Sequence, residues 1–133
     1  LDKLPALRKS ISDDTQLAIL TDFEGEVRVS RALAYSELIK LFCKAYDPST
    51  AANELGVVLV SRYDGSEPTV RASLKESYEF VLSDLKKAEE LLLEEDDLGY
   101  NSVYFTLSVA QSLHARVALF QGYPILYHAL YGR

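Results

Sequence analysis

Few residues of this 133-residue chain have the type and spacing that catalysis needs. Its two histidines, His114 and His128, are the only imidazoles available as a general base or metal ligand. His114 lies near the seam of an apolar helical pattern with no acid four residues on, so it reads as a packed histidine. Ser83-Asp84-Leu85-Lys86 fits S-x-x-K, in which a lysine assists a serine nucleophile. The S-D-N and K-T-G segments that accompany that chemistry are absent, and a solvated helix face accounts for the match. The run Glu94-Glu95-Asp96-Asp97 has the charge to attract calcium but lacks the alternation and glycine of an EF-hand loop, and reads as a soluble helix end. Cys43 has Lys40 and Lys44 nearby, cations that lower a thiol pKa, but a half-buried structural thiol is the preferred reading. With no glycine-rich phosphate loop and no Cys/His cluster, the expectation is a chain that is not an enzyme and takes no cofactor and no metal.

The nine tyrosines offer binding rather than catalysis. Tyr35, Tyr78 and Tyr104 are assigned to helix seams or starts. Tyr46, Tyr63 and Tyr100 fall among loop residues, where an aromatic face stacks on a sugar or a partner, or simply anchors the loop. These three are the candidate ligand-binding residues.

The elements that must position them follow from pattern. Hydrophobic residues make up 48% and charged residues 26%, a globular composition, and a net charge of −6 argues against nucleic acid. One cysteine cannot form an internal disulfide, and no apolar run is long enough to cross a bilayer. The N-terminus lacks the features of a signal peptide, and methionine is absent, so residues 1–133 are read as a single helical domain excised from a larger protein. Residues 1–11 suggest a short helix, and a long one begins near Asp14. Its apolar stripe is Leu17, Leu20, Val27, Ala34, Leu38 and Leu41, and Gly25 marks a kink or a boundary. Residues 45–72 hold Pro48, Gly56, Gly65 and Pro68 and form a long loop, pinned by a short strand at Val57-Val58-Leu59-Val60. Ser73 and Glu76 make a capping box for a helix whose seam is Leu74, Tyr78, Val81, Leu85, Ala88 and Leu92. Thr106 caps the next, which carries Ala110, Leu113, Val117 and Phe120 and stops at Gly122. Pro124 opens a last short helix. The fold class is therefore all-α: antiparallel helical hairpins with one long ordered loop, and a tetratricopeptide-like corner after Gly122.

Two arginines sit among apolar neighbours. Arg31 lies near Val27, Ala34 and Leu38, and Arg116 lies within "HARVALF". A buried guanidinium must be paired, so each either ties its helix to carboxylates or carbonyls of a neighbour or snorkels outward. The tie is the preferred reading for Arg31.

The stretch "GEVRVSRALAYSELIKLFCKAYD" resembles the SusD/RagB family of outer-membrane nutrient-binding lipoproteins, through Gly25, Glu26, Arg31, Ala32, Tyr35, Leu38, Leu41, Phe42 and Tyr46. Residues 54–60 resemble the family's D-L-G-V-P-L-V segment. The following helix is similar to the family's through Arg71, Ser73, Leu74, Glu76, Tyr78, Asp84, Leu85, Ala88, Leu91 and Leu92. A fourth block, "FTLSVAQSLHARVALFQGY", resembles T-x-x-A-A-x-x-L-L-A-R-V-Y-L-Y-Q-G-D-Y/W. The four blocks come in family order over residues 25–123. Cys43, Ala45 and Val58 stand where glycine, proline and proline are usual.

The resemblance implies a tetratricopeptide-like scaffold carrying long loops. It also implies a non-catalytic protein exposed on the outer membrane of Bacteroidetes, anchored by a lipid that these residues do not include. Such proteins bind an oligosaccharide or other nutrient and cap a TonB-dependent, SusC-like transporter. Arg31 and Arg116 would be structural arginines of that scaffold. The alternative is a helical protein–protein interaction module without a small-molecule ligand.

Overall fold

The computed structural model describes residues 1–62, 69–92 and 104–122. Its order is α1 (Leu4–Ser10), α2 (Asp14–Phe42), β1 (Leu55–Val58), β2 (Arg71–Ser73), α3 (Leu74–Leu91) and α4 (Leu107–Phe120). The class is all-α, with a single two-stranded sheet among the described residues. The last short helix expected from Pro124 and the acidic run 94–97 lie outside the described residues.

α3 organises the core because α2 and α4 both pack on it. Its expected seam is buried throughout: Leu74, Tyr78, Val81, Leu85, Ala88 and Leu92 are all at most 5% exposed. The capping box is also present. Ser73 Oγ accepts from the Glu76 N–H, and the Glu76 carboxylate accepts from the Ser73 N–H at 2.8 Å. Ser73→Ala is expected to cost about 1 kcal/mol in urea unfolding, the usual worth of an N-cap hydroxyl.

α2 runs unbroken for 29 residues, about 43 Å at 1.5 Å per residue. Asp13 caps its start by accepting from the Gln16 N–H. The face turned to α3 is not the one the apolar stripe suggested. Of that stripe only Leu20 is buried, while Val27, Leu38 and Leu41 remain 47%, 39% and 72% exposed. The buried face is Leu20, Glu24, Gly25, Val29, Ala32, Ser36 and Ile39. Small residues let the two backbones approach closely along it. A Cβ at Gly25 would stand 2.7 Å from Leu92 Cγ and Cδ2, so this glycine marks a close crossing and neither a kink nor a boundary.

α4 starts at Thr106, whose hydroxyl accepts from the Val109 N–H, and ends before Gly122, the one described glycine with positive φ (79°). Ala110, Leu113 and Val117 are buried as expected, but Phe120 is 51% exposed and Ala118 takes the inner position.

The excursion between α2 and α3 is tied down along both of its described stretches. Turns nucleated by Asp47 bury Ala51, and the Leu74 and Lys75 N–H groups donate to Glu54 O and Ala51 O. In this way the loop satisfies donors that open the first turn of α3. The expected strand begins two residues early, at Leu55, and pairs antiparallel with β2 in the register Leu55↔Ser73 and Val58↔Arg71, with an irregularity between.

Candidate functional site

The largest polar construction among the described residues is a ladder of side chains running from α1 across α2 to α3. Glu24, 8% exposed, receives Arg8 Nη2 at 2.9 Å on one carboxylate oxygen, and Arg28 Nε and Nη2 at 2.9 and 2.7 Å on the other. Arg28 also reaches across the helix interface, its Nη1 donating to Asp84 Oδ1 at 2.8 Å. Arg31 closes the ladder with a two-pronged grip on Asp84, Nε to Oδ2 at 2.6 Å and Nη2 to Oδ1 at 2.8 Å. The Arg31 guanidinium also lies over the Phe80 ring, 4.7 Å from its centroid. Arg8 donates in addition to Thr21 Oγ1.

Three guanidiniums thus hold two carboxylates, and Asp84 is 2% exposed. Burial of a carboxylate is tolerated only with such complete pairing. Burial pushes the Glu24 carboxyl up, but hydrogen bonds and charge from Arg8 and Arg28 outweigh it and hold the group below its ordinary 4.5. Glu26 behaves oppositely, pushed up by burial and by Asp22 against a hydrogen bond from the Phe105 backbone. A depressed folded-state value means that the Glu24 contribution is complete above the unfolded value near 4.5. It is lost as pH falls through the lower folded value. Glu24→Gln is therefore expected to cost about 1–3 kcal/mol at pH 7. The gap to the parent should narrow as acid titrations of stability pass below about pH 4.5. Chemically the ladder is a clamp, because its carboxylates are occupied as acceptors.

A second polar hub holds the excursion. Arg71 Nε donates to Gly56 O at 2.6 Å, and Nη2 to Phe42 O at 3.2 Å and Leu55 O at 3.4 Å, joining the open carbonyl end of α2 to β1. The Val57 N–H donates to Ser77 Oγ, and the Val60 N–H to the Tyr35 hydroxyl at 2.9 Å. Beside this hub, Leu38, Phe42, Val57 and Val58 line an open hollow of about 310 Å³. Another of about 320 Å³ lies between α2 and α4, lined by Val29, Leu33, Phe105, Val109, Leu113 and Arg116. Both linings are chiefly apolar, with Arg71 the polar side chain of the first and Ser112 and Arg116 those of the second.

The residues singled out in the sequence divide clearly. Arg31 ties α2 to α3 through Asp84. Arg116 does not share its burial: it stands on the exposed side of α4 and reaches Glu37 Oε1 at 3.3 Å, because Leu113 and Val117 take the inward positions. Tyr46 is half-buried and packs edge-on against Tyr78, with centroids 4.9 Å apart. Tyr63 and Tyr100 lie outside the described residues. Tyr104 is 57% exposed. His114 places Nδ1 2.8 Å from Glu89 Oε1, an acid supplied by α3 across the hairpin. Cys43 is the half-buried C-cap of α2. Ser83 and Lys86 face solvent, but Asp84 between them does not. No group of three potential metal ligands converges among the described residues.

The sequence reading missed Glu24, Arg28 and Asp84 as a unit. The usable signal was Asp84 itself, three residues after Val81 and one before Leu85, where the seam of α3 admits an acid only with a cationic partner.

Comparison with known proteins bears on the whole arrangement. A SusD-like family model, described as starch-binding and associating with the outer membrane, matches residues 1–119. A putative sugar-binding protein of Bacteroides vulgatus superposes with a TM-score of 0.77 at 26% identity, over 90% of this chain and 26% of its own. A SusD superfamily protein of Bacteroides thetaiotaomicron gives 0.75 at 30% identity, over 91% and 25%. Another from Bacteroides vulgatus gives 0.78 at 25% identity, over 97% and 28%. The chain thus spans about a quarter of the length of these structures. No curated protein matches it.

Proposed function

Because this chain belongs to the SusD-like family, described as starch-binding and associating with the outer membrane, we propose that it is the helical scaffold part of a larger, non-catalytic nutrient-binding protein. The ligand is an oligosaccharide or a related nutrient. The whole protein stands at the outer face of a bacterial outer membrane, held by a lipid anchor outside residues 1–133, and delivers its ligand to a TonB-dependent, SusC-like transporter. The observation that carries the reading is the family match over residues 1–119, with sugar-binding and SusD superfamily structures superposing over nine-tenths or more of the chain.

The geometry supports a scaffold role for this span. Glu24, Arg28, Arg31, Asp84 and Arg71 are spent on holding helices and loop in place. Tyr63 and Tyr100, each next to or near glycine in the sequence, are the aromatics proposed to meet the ligand.

The test is a pull-down of the full-length protein from its native envelope, followed by titration of the purified protein with malto-oligosaccharides and a panel of other glycans. Co-purification of a large outer-membrane barrel with saturable glycan binding is the expected result. Recovery of soluble partners alone, with no glycan bound, would favour an interaction module instead.

A further inference from the structure

Arg31 and Tyr35 stand one helical turn apart on α2, and Phe80 and Asp84 one turn apart on α3, so each pair shares a face of its helix. Their contacts run in antiparallel order across the crossing. Asp84 holds Arg31 through two hydrogen bonds, and the Arg31 guanidinium lies over the Phe80 ring, 4.7 Å from its centroid. The same ring meets Tyr35 edge-on, with centroids 5.1 Å apart and planes at 72°. Tyr35 then turns its hydroxyl to the loop and accepts from the Val60 N–H at 2.9 Å. Val60 lies past the last paired position of β1, so the hydroxyl fastens the loop where the sheet no longer does. Phe80 alone of the four side chains offers no hydrogen bond, yet it touches both Arg31 and Tyr35.

We propose that Phe80 couples the buried ladder to the loop. While Asp84 grips Arg31, the guanidinium holds the ring against Tyr35 and the Tyr35 hydroxyl stays on Val60. When the grip loosens, the ring turns and Val60 is released. Phe80 and Tyr35 are then positioning residues, whose geometry is set by an ion pair that touches neither Val60 nor β1. Two observations favour a coupled chain over separate contacts. Arg31, Phe80 and Tyr35 are only half-buried, so each is held by its two neighbours as much as by the core. The next fastening of the loop, the Val57 N–H on Ser77 Oγ, uses none of the four side chains. The loop thus has one attachment inside the chain of contacts and one outside it. Linkage runs both ways, so whatever fixes the loop at Val60 also favours the closed ladder. The coupling belongs to the helices and does not depend on what the loop meets.

The experiment follows hydrogen exchange at the single amides of Val60 and Val57 in the full-length natural protein. Tyr35→Phe removes the acceptor and sets the scale, with exchange expected to be about tenfold faster at Val60 and unchanged at Val57. Phe80→Leu removes no hydrogen bond and is the deciding variant. Val60 is expected to exchange about fivefold faster in it, with Val57 within about twofold of the parent. In the Tyr35→Phe background the same substitution should add nothing at Val60, because its whole effect passes through the hydroxyl. Arg31→Lys gives an independent reading from the ladder end. It keeps the charge but neither the two-pronged grip nor the flat guanidinium over the ring, so Val60 should again exchange faster and Val57 should not. An unchanged Val60 in any of the single variants would overturn the proposal. So would an undiminished Phe80→Leu effect in the Tyr35→Phe background, which makes the contacts independent. A parallel rise at Val57 would overturn it too, by showing that the ladder supports the whole hairpin and not this fastening.

Discussion

Replacing Asp84 by alanine is expected to lower the unfolding free energy by about 3–5 kcal/mol, the cost of breaking a buried ion pair from one side. The carboxylate is 2% exposed and accepts three hydrogen bonds, one from Arg28 and two from Arg31. Its removal leaves the Arg31 guanidinium, itself only 21% exposed, without its carboxylate and takes one of the two carboxylates from Arg28, which keeps Glu24. Arg31→Met should cost less, because Asp84 keeps Arg28 and the longer apolar side chain still lies against Phe80. Urea titrations of both variants at neutral pH give the comparison. Equal and small losses, under about 1 kcal/mol, would mean that water reaches the pair and that the ladder does not hold the helices. The order of the two variants matters more than either value, since it separates a shared acceptor from two independent bonds.

The second large effect is expected at Gly56. A Cβ there would run into Ser77 Oγ and the Ser73 carbonyl oxygen, with the Ser73 carbonyl carbon 2.7 Å away. Ser77 could rotate, but Ser73 cannot withdraw, because it is at once the last residue of β2 and the N-cap of α3. Gly56→Ala should therefore cost about 3 kcal/mol, the upper end of overpacking penalties. Ser77→Ala in the same protein should rescue little of that loss. It also removes the acceptor of the buried Val57 N–H. Full rescue by Ser77→Ala would show that the hydroxyl, and not the backbone of Ser73, sets the limit.

What could be read from the sequence was decided by how each helix divides its apolar residues. α3 has one apolar face and a capping box, so its start and seam were legible, although it ends at Leu91 and not in the acidic run 94–97. α2 has two such faces, and the one it buries carries Glu24, Arg28 and Ser36. Periodicity alone therefore selected the exposed stripe of Val27, Leu38 and Leu41. The ladder was hidden for the same reason. Rules that send charges outward placed Asp84 on a solvated face beside Ser83 and Lys86, although it lies one residue from Leu85. Arg31 was found because its neighbours are apolar. Its partner was not, because pairing between α2 and α3 depends on a tertiary crossing that spacing does not encode. Arg116 has similar neighbours yet stands exposed, since α4 packs by Leu113 and Val117 and meets α2 only lightly.

The excursion between α2 and α3 has a consequence for how this scaffold changes over time. Both its ends are fastened, by Arg71 to the α2 terminus and by Glu54 and Ala51 to the first turn of α3. The described stretches on either side, up to residue 62 and from residue 69, are held by those fastenings. Each doubling of the length between two fixed ends costs only about 0.6 kcal/mol. Length added between those ends is therefore expected to leave the helices in place.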